Sequence, residues 1–410
     1  MPTRPILAAA LLAVALAACS GPVTETPASG GQSIDEAAAD ADDGATCTPT
    51  TEAVGNAAAA PDTVRFPWDD PDAASLDDFD PAEVRRGGPP PDGIRPIDEP
   101  CTEPVPEGGA WLADDESVLV VELDNEARAY PLAIMTQHEI VNDQLAGVPV
   151  TVTYCPLCNS GLAFERTVDT GNGLAIDGQV WDFGTSGRLL RSNLVMYDRQ
   201  TRTLWSQFSG TALWGDPDVV GTELERLPTQ VLSWGTFRTS HPDGTVLSRD
   251  SFPTRTYGSN PYPGYEDDPS SFLYRGPIDE RLDPDERVVG LGGEADAVAV
   301  PLSRLRDELV VTVDLDGGPV TVAWTPGQAS ALDDGEVAGG RDVGQTGAFA
   351  VAALEPLGDG TFRDPATGAV HDITGASVDA DVPTLERVAL DDTFWFVWFA
   401  FHPDTAIAAG

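Results

Sequence analysis

"ARAYPLAIMTQHEIVNDQLAGVPVTVTYCP", residues 127–156, has an echo later in the chain: "AVAVPLSRLRDELVVTVDLDGGPVTVAWTP", residues 297–326. Ala129-Tyr130-Pro131-Leu132 aligns with Ala299-Val300-Pro301-Leu302, and Pro149-Val150-Thr151-Val152 with Pro319-Val320-Thr321-Val322, without a gap. A second pair of blocks follows. "LERLPTQVLSWGTFRTSHPD" from Leu224 matches "LERVALDDTFWFVWFAFHPD" from Leu385, setting Trp234 against Trp395 and His241 against His402. Matched blocks in the same order are the mark of an internal duplication. The chain reads as two related units, 116–250 and 285–408, joined by a Pro/Gly/Tyr-rich linker, 251–284.

Within each unit the signals are mainly β. "SVLVVEL", "VPVTVTY" and "RSNLVMY" are short, rich in Val and Tyr, and bounded by Gly, Asn or Asp. Two helices are predicted. One runs from Pro131 through "LAIMTQHEIVND", where Pro suits the first turn and apolar residues recur at three and four. The other covers "VLSWGTFRTS" and stops before His241-Pro242. The expected fold class is therefore mainly β with a few short helices (α+β), in two related β-rich units. The linker tyrosines Tyr257, Tyr262 and Tyr265 read as a packed connection rather than a binding loop.

The first 62 residues carry other signals. Arg4 and the apolar run "ILAAALLAVALA" suit a signal peptide over residues 1–18 and are too short to span a bilayer comfortably. Leu16-Ala17-Ala18-Cys19 resembles the lipobox of bacterial lipoproteins, so Cys19 is the expected lipidation site and the membrane anchor. Residues 19–62 hold almost no large apolar side chains and read as a disordered stalk, and 63–115 as an irregular, Pro/Asp-rich lead-in. The protein is expected on the extracytoplasmic face of the cell membrane. A net charge of −44, from 67 acidic residues against 23 arginines and no lysine, argues against nucleic-acid or anionic-lipid partners.

An oxidising compartment changes how cysteines are read. Apart from Cys19 the chain has Cys47, Cys101, Cys155 and Cys158, with Cys47 and Cys101 candidates for a disulfide. Cys155-Pro156-Leu157-Cys158 is the chemically informative pair. The matched blocks set Cys155 against Thr325, Cys158 against Gln328 and His138 against Glu308, so all three are special to the first unit. His241 keeps its twin in His402 and reads as structural or capping. Asn159-Ser160-Gly161 followed by the alternation Leu162-Ala163-Phe164-Glu165 places the pair at a hairpin tip, unlike a thioredoxin-type motif that opens a helix. Two chemistries remain open. In one, Cys155 and Cys158 form a thiol–disulfide redox or electron-transfer site assisted by His138, served by an extracytoplasmic redox partner. In the other, Cys155, Cys158, His138 and His241 bind copper or zinc for storage or delivery to a partner. A third reading is a structural or partner-binding surface protein. Ser186 and Gly187 in "FGTSGRLLRSN" do not make a nucleophile elbow, and Asp198-Arg199 reads equally as a strand-end turn.

"RAYPLAIMTQHEIVND", "VTYCPLCNSGLAF", "FGTSGRLLRSNLVMYDRQTRTLWSQ" and "HPDGTVLS" together resemble a widespread prokaryotic family of often exported proteins, domain-of-unknown-function family 3179. The resemblance runs from about Gly93 to the C-terminus and implies no established reaction. A selenoprotein assignment made for some members at the cysteine motif favours redox chemistry over a structural metal. Asn159 stands where the family usually has Gly, and Gln137 where it usually has an aromatic residue.

Overall fold

Val, Ile and Tyr at alternating positions make strands throughout the computed structural model. It describes residues 63–408, apart from 172, 174–176, 268–273, 294 and 380, together with the backbone of Thr48–Pro49. Among these residues the fold is mainly β, with four α-helices of seven residues each: α1 Leu132–His138, α2 Trp234–Ser240, α3 Leu302–Glu308 and α4 Trp395–Phe401. The described elements belong to one compact unit spanning residues 45–410. The signal peptide, Cys19, Cys47 and most of the stalk lie outside the described residues.

Three larger sheets and a two-stranded ribbon, Thr167–Val168 with Gln179–Val180, build the first half among the described residues. One has the order Thr48–Pro49, Cys101–Pro104, Thr245–Leu247, Glu126–Pro131, Ser117–Leu123, Thr229–Ser233, with Thr245–Leu247 parallel to Glu126–Pro131. A second sheet of four strands contains the hairpin Val148–Cys155 and Ser160–Glu165, flanked by Ile140–Leu145 and Arg226–Leu227. A third runs from Ala74–Ser75 through Asn193–Asp198 and Phe183–Leu190 to the edge strand Arg85–Arg86. In its Phe183–Leu190 strand the register shifts between Thr185 and Arg188, and Gly187 supplies the positive φ of 67°. Ser186 donates to the Val195 carbonyl across this bulge, a structural task.

In the second half, Arg287–Leu291 lies antiparallel to Val298–Pro301 and to Asp391–Phe394, and Ala406–Ile407 joins Val298–Pro301 in parallel. Val118 faces Pro131 in the first half and Val288 faces Pro301 in the second; Ile140 faces Thr153, and Val310 faces Ala323. The halves share one core: Cys155, Cys158, Phe164 and Trp205 pack in the same buried cluster as Phe394, Trp395 and Trp398.

Two helices are shorter than their sequence patterns predict. α1 ends at His138 because Glu139 turns left-handed, with φ 59°, and its N–H bonds the Met135 carbonyl. The β-branched Ile140-Val141 then starts a strand instead of a third helical turn. For α2, Val231-Leu232-Ser233 belong to a sheet strand, and Ser233 is the N-cap, its hydroxyl accepting from the Thr236 N–H.

Candidate functional site

The Cys-x-x-Cys turn occupies the tip of the hairpin Val148–Cys155/Ser160–Glu165. The Cys158 N–H bonds back to the Cys155 carbonyl, closing the turn, and Asn159 follows in the left-handed region with φ 52°. Asn is among the few non-glycine residues that adopt this conformation readily, which accounts for its tolerance at this position. Its side chain also ties the tip down. Asn159 Oδ1 accepts from Tyr154 and from Arg287, each at 3.0 Å, and its amide donates to Asp392. Arg287 in turn pairs with buried Glu266 at 2.7 Å. Main-chain contacts complete the anchorage: the Cys158 carbonyl accepts from Thr393 Oγ1 and from the Phe394 N–H.

Both thiols are free, and their sulfurs stand 3.2 Å apart, with Cys155 2% and Cys158 0% exposed. A single carbonyl, that of Ser192, accepts from both, at 3.3 Å from Cys158 and 3.8 Å from Cys155. The Asn193 amide donates to Cys158 Sγ at 3.5 Å. Burial first, then the neighbouring Cys155 thiol, push the Cys158 thiol well above its ordinary range, with a further push from Glu139 and an opposing one from Asn193. Cys101 is disulfide-bonded.

Glu139 is the site residue that the sequence patterns missed. It is buried at the end of α1, and desolvation alone raises its carboxyl to about 8. No hydrogen bond or ion pair satisfies that carboxyl among the described residues, yet its charge is felt by Cys158 and by Tyr262. A run that looks helical hides its position. The signal that could have found it is in the matched blocks, where Glu139 stands against Leu309, which has the same left-handed backbone with φ 63°.

The two histidines are placed differently. His138 is buried, with Nδ1 donating to the Arg95 carbonyl at 2.6 Å and Nε2 accepting from the Tyr257 hydroxyl at 2.9 Å. Its ring bonds therefore go to these groups and not to sulfur, and burial lowers its pKa. His241 follows α2, stacks on Phe237 and bonds Glu122 through Nε2. No three His, Cys, Asp or Glu side chains among the described residues are grouped to hold a metal. The set Cys155, Cys158, His138 and His241 is thus not gathered into one centre.

The tyrosine-rich segment is more than a connection. Tyr257 holds His138, the Tyr265 hydroxyl donates to the Leu157 carbonyl inside the cysteine turn at 3.0 Å, and Tyr262 feels both Glu139 and Cys155. All three tyrosines bear on the turn or on α1 beside it. Asp198 is a buried acceptor for Trp205 and Thr201, consistent with a strand-end turn.

Residues 91–405 match a family model described as "Protein of unknown function (DUF3179)". No curated protein and no solved structure matches the chain.

Proposed function

The chain belongs to the DUF3179 family, whose description assigns no reaction, and we propose from the chain's own geometry that Cys155 and Cys158 form a thiol–disulfide redox couple. The observation that carries this reading is the 3.2 Å separation of two free thiols on a turn already closed around them. A disulfide needs the sulfurs at about 2 Å, so oxidation requires only a small side-chain movement. Cys155, the slightly less buried residue of the two, attacks one sulfur of a partner disulfide, releasing the other as a thiol. Cys158 then displaces the attacked sulfur to form the Cys155–Cys158 bond, and two thiols leave with the two electrons and two protons. Glu139, whose charge is felt by Cys158 and whose carboxyl burial raises to about 8, is the buried acid suited to take up a proton as the pair reacts. His138 supports α1 beside the pair.

Equilibration of the full chain in glutathione buffers of graded ratio, followed by mass mapping of the peptide holding both cysteines, tests the couple. One reversible two-electron transition that Cys155→Ser abolishes is expected. A pair that stays dithiol, or stays disulfide, across the whole range contradicts it. A structural reading has its own support in the anchorage of the Cys158 carbonyl by Thr393 and Phe394, which makes the turn a joint between the halves. The copper or zinc alternative is supported by the sulfur pair alone.

The paired registers and the matched sequence blocks support descent of the two halves from one duplicated unit, of which the first kept the cysteines. The lipobox supports a lipid anchor at Cys19 and an extracytoplasmic setting, in which an oxidising partner is available. Cys19→Ala is expected to release the protein from the membrane fraction of its host; retention would argue against the anchor.

A further inference from the structure

We propose that a cavity beside the cysteine turn, walled by Arg85, Arg86 and Arg191, binds a small organic anion: an oxyanion group carried on an apolar body. The inference goes beyond the redox reading and does not depend on it. The cavity measures about 600 Å³ and is also lined by Arg275. Four of the 23 arginines in a chain of net charge −44 therefore meet at one hollow. Its one acidic wall residue, Glu83, is engaged by Arg191 at 3.2 Å. A protein this acidic repels anions over most of its surface, so a local excess of guanidinium groups defines where an anion is attracted.

Arg85 and Arg86 are presented in a way that ion pairing among the described residues does not explain. Arg85 and Arg86 form an exposed two-residue edge strand, with Arg85 on the face of Leu189, which lines the cavity, and Arg86 on the face of Arg188 at the cavity's edge. Neither makes an ion pair or a side-chain hydrogen bond among the described residues, although the chain holds 67 carboxylates. The planar fork of Arg85 suits bidentate contact with an oxyanion, and Arg86 adds positive charge beside it. Arg191 is fixed by the Ala400 carbonyl at 2.8 Å. Leu189, Tyr274 and Phe399 supply an apolar wall, which suits an anion with a hydrocarbon or aromatic body better than a bare inorganic ion.

The inner wall reaches the sulfurs. Arg191 and Ser192 alone connect Leu190 to its partner Asn193, and both have positive φ, 53° and 70°. Such a turn ordinarily carries Asn-Gly. Here the strained pair puts a guanidinium on the cavity and the Ser192 carbonyl on both thiols. Ser192 itself lines the cavity, and its hydroxyl is buried with no partner among the described residues.

Calorimetric titration of the full chain, with Cys155 and Cys158 as free thiols and the Cys101 disulfide kept, against phenyl phosphate tests the proposal, whatever the redox behaviour of the pair. Saturable one-to-one binding is expected, weakened about tenfold or more in Arg85→Gln/Arg86→Gln and by added salt. Both changes lie on an exposed edge strand, so the variant keeps the fold, which its melting curve verifies. Benzylammonium, with a similar body and opposite charge, is expected not to bind. Absent binding, equal binding of benzylammonium, or unchanged affinity in the double variant would each overturn the proposal. Equal affinity for inorganic phosphate would overturn the organic-anion assignment.

Discussion

Glu139 makes the sharpest single-residue case. A carboxyl whose pKa rises from 4.5 to about 8 on folding binds more protons in the folded than in the unfolded chain between those values. Stability therefore falls as pH rises through that window and is lowest, on this account, above about 8. Glu139→Gln removes the ionising group while keeping its shape. The variant is expected to be more stable than the parent at pH 8, on the order of a few kcal/mol, and no different at pH 4. Denaturant melts at the two pH values check this; equal differences at both would show that the carboxyl is not held neutral by burial. The cysteines were legible from sequence because two sulfurs in a β-hairpin pattern have few bland explanations. Glu139 was not, because a glutamate after a helical run looks solvent-exposed until the tertiary fold covers it.

Turns and strand edges carry the information that periodicity does not. The hairpin tip was readable from Asn159-Ser160-Gly161 and from the alternation after it. The sequence pattern extends α1 too far because Ile140 and Val141 also satisfy a helical spacing, and only pairing with Val148–Cys155 decides in favour of a strand. The Arg191–Ser192 turn gives no sequence signal at all, since neither residue favours positive φ. It does give a stability prediction. Ser192→Gly relieves the left-handed strain and removes a buried hydroxyl that has no partner among the described residues, while keeping the carbonyl that meets the thiols. The variant is expected to gain about 1 kcal/mol in chemical denaturation. A loss of stability would mean that the Ser192 side chain makes an unrecognised structural bond.

At the scale of the molecule, the cysteine turn lies where the two halves share a core. Arg287 and Asp392 come from the second half and Asn159 from the first, so the tip is fastened by residues far away in sequence. That arrangement explains both the close, ordered thiols and their burial, and it poses the main difficulty for redox chemistry. A couple that serves a partner must react while the protein stays folded, whereas a structural pair reacts only when the joint opens. The rate of disulfide formation in the native chain on adding oxidised glutathione, set beside its global unfolding rate under the same conditions, separates the two. The account predicts that Cys155 and Cys158 oxidise faster than the chain unfolds, with a rate proportional to oxidant concentration. Oxidation that levels off at the unfolding rate would contradict it.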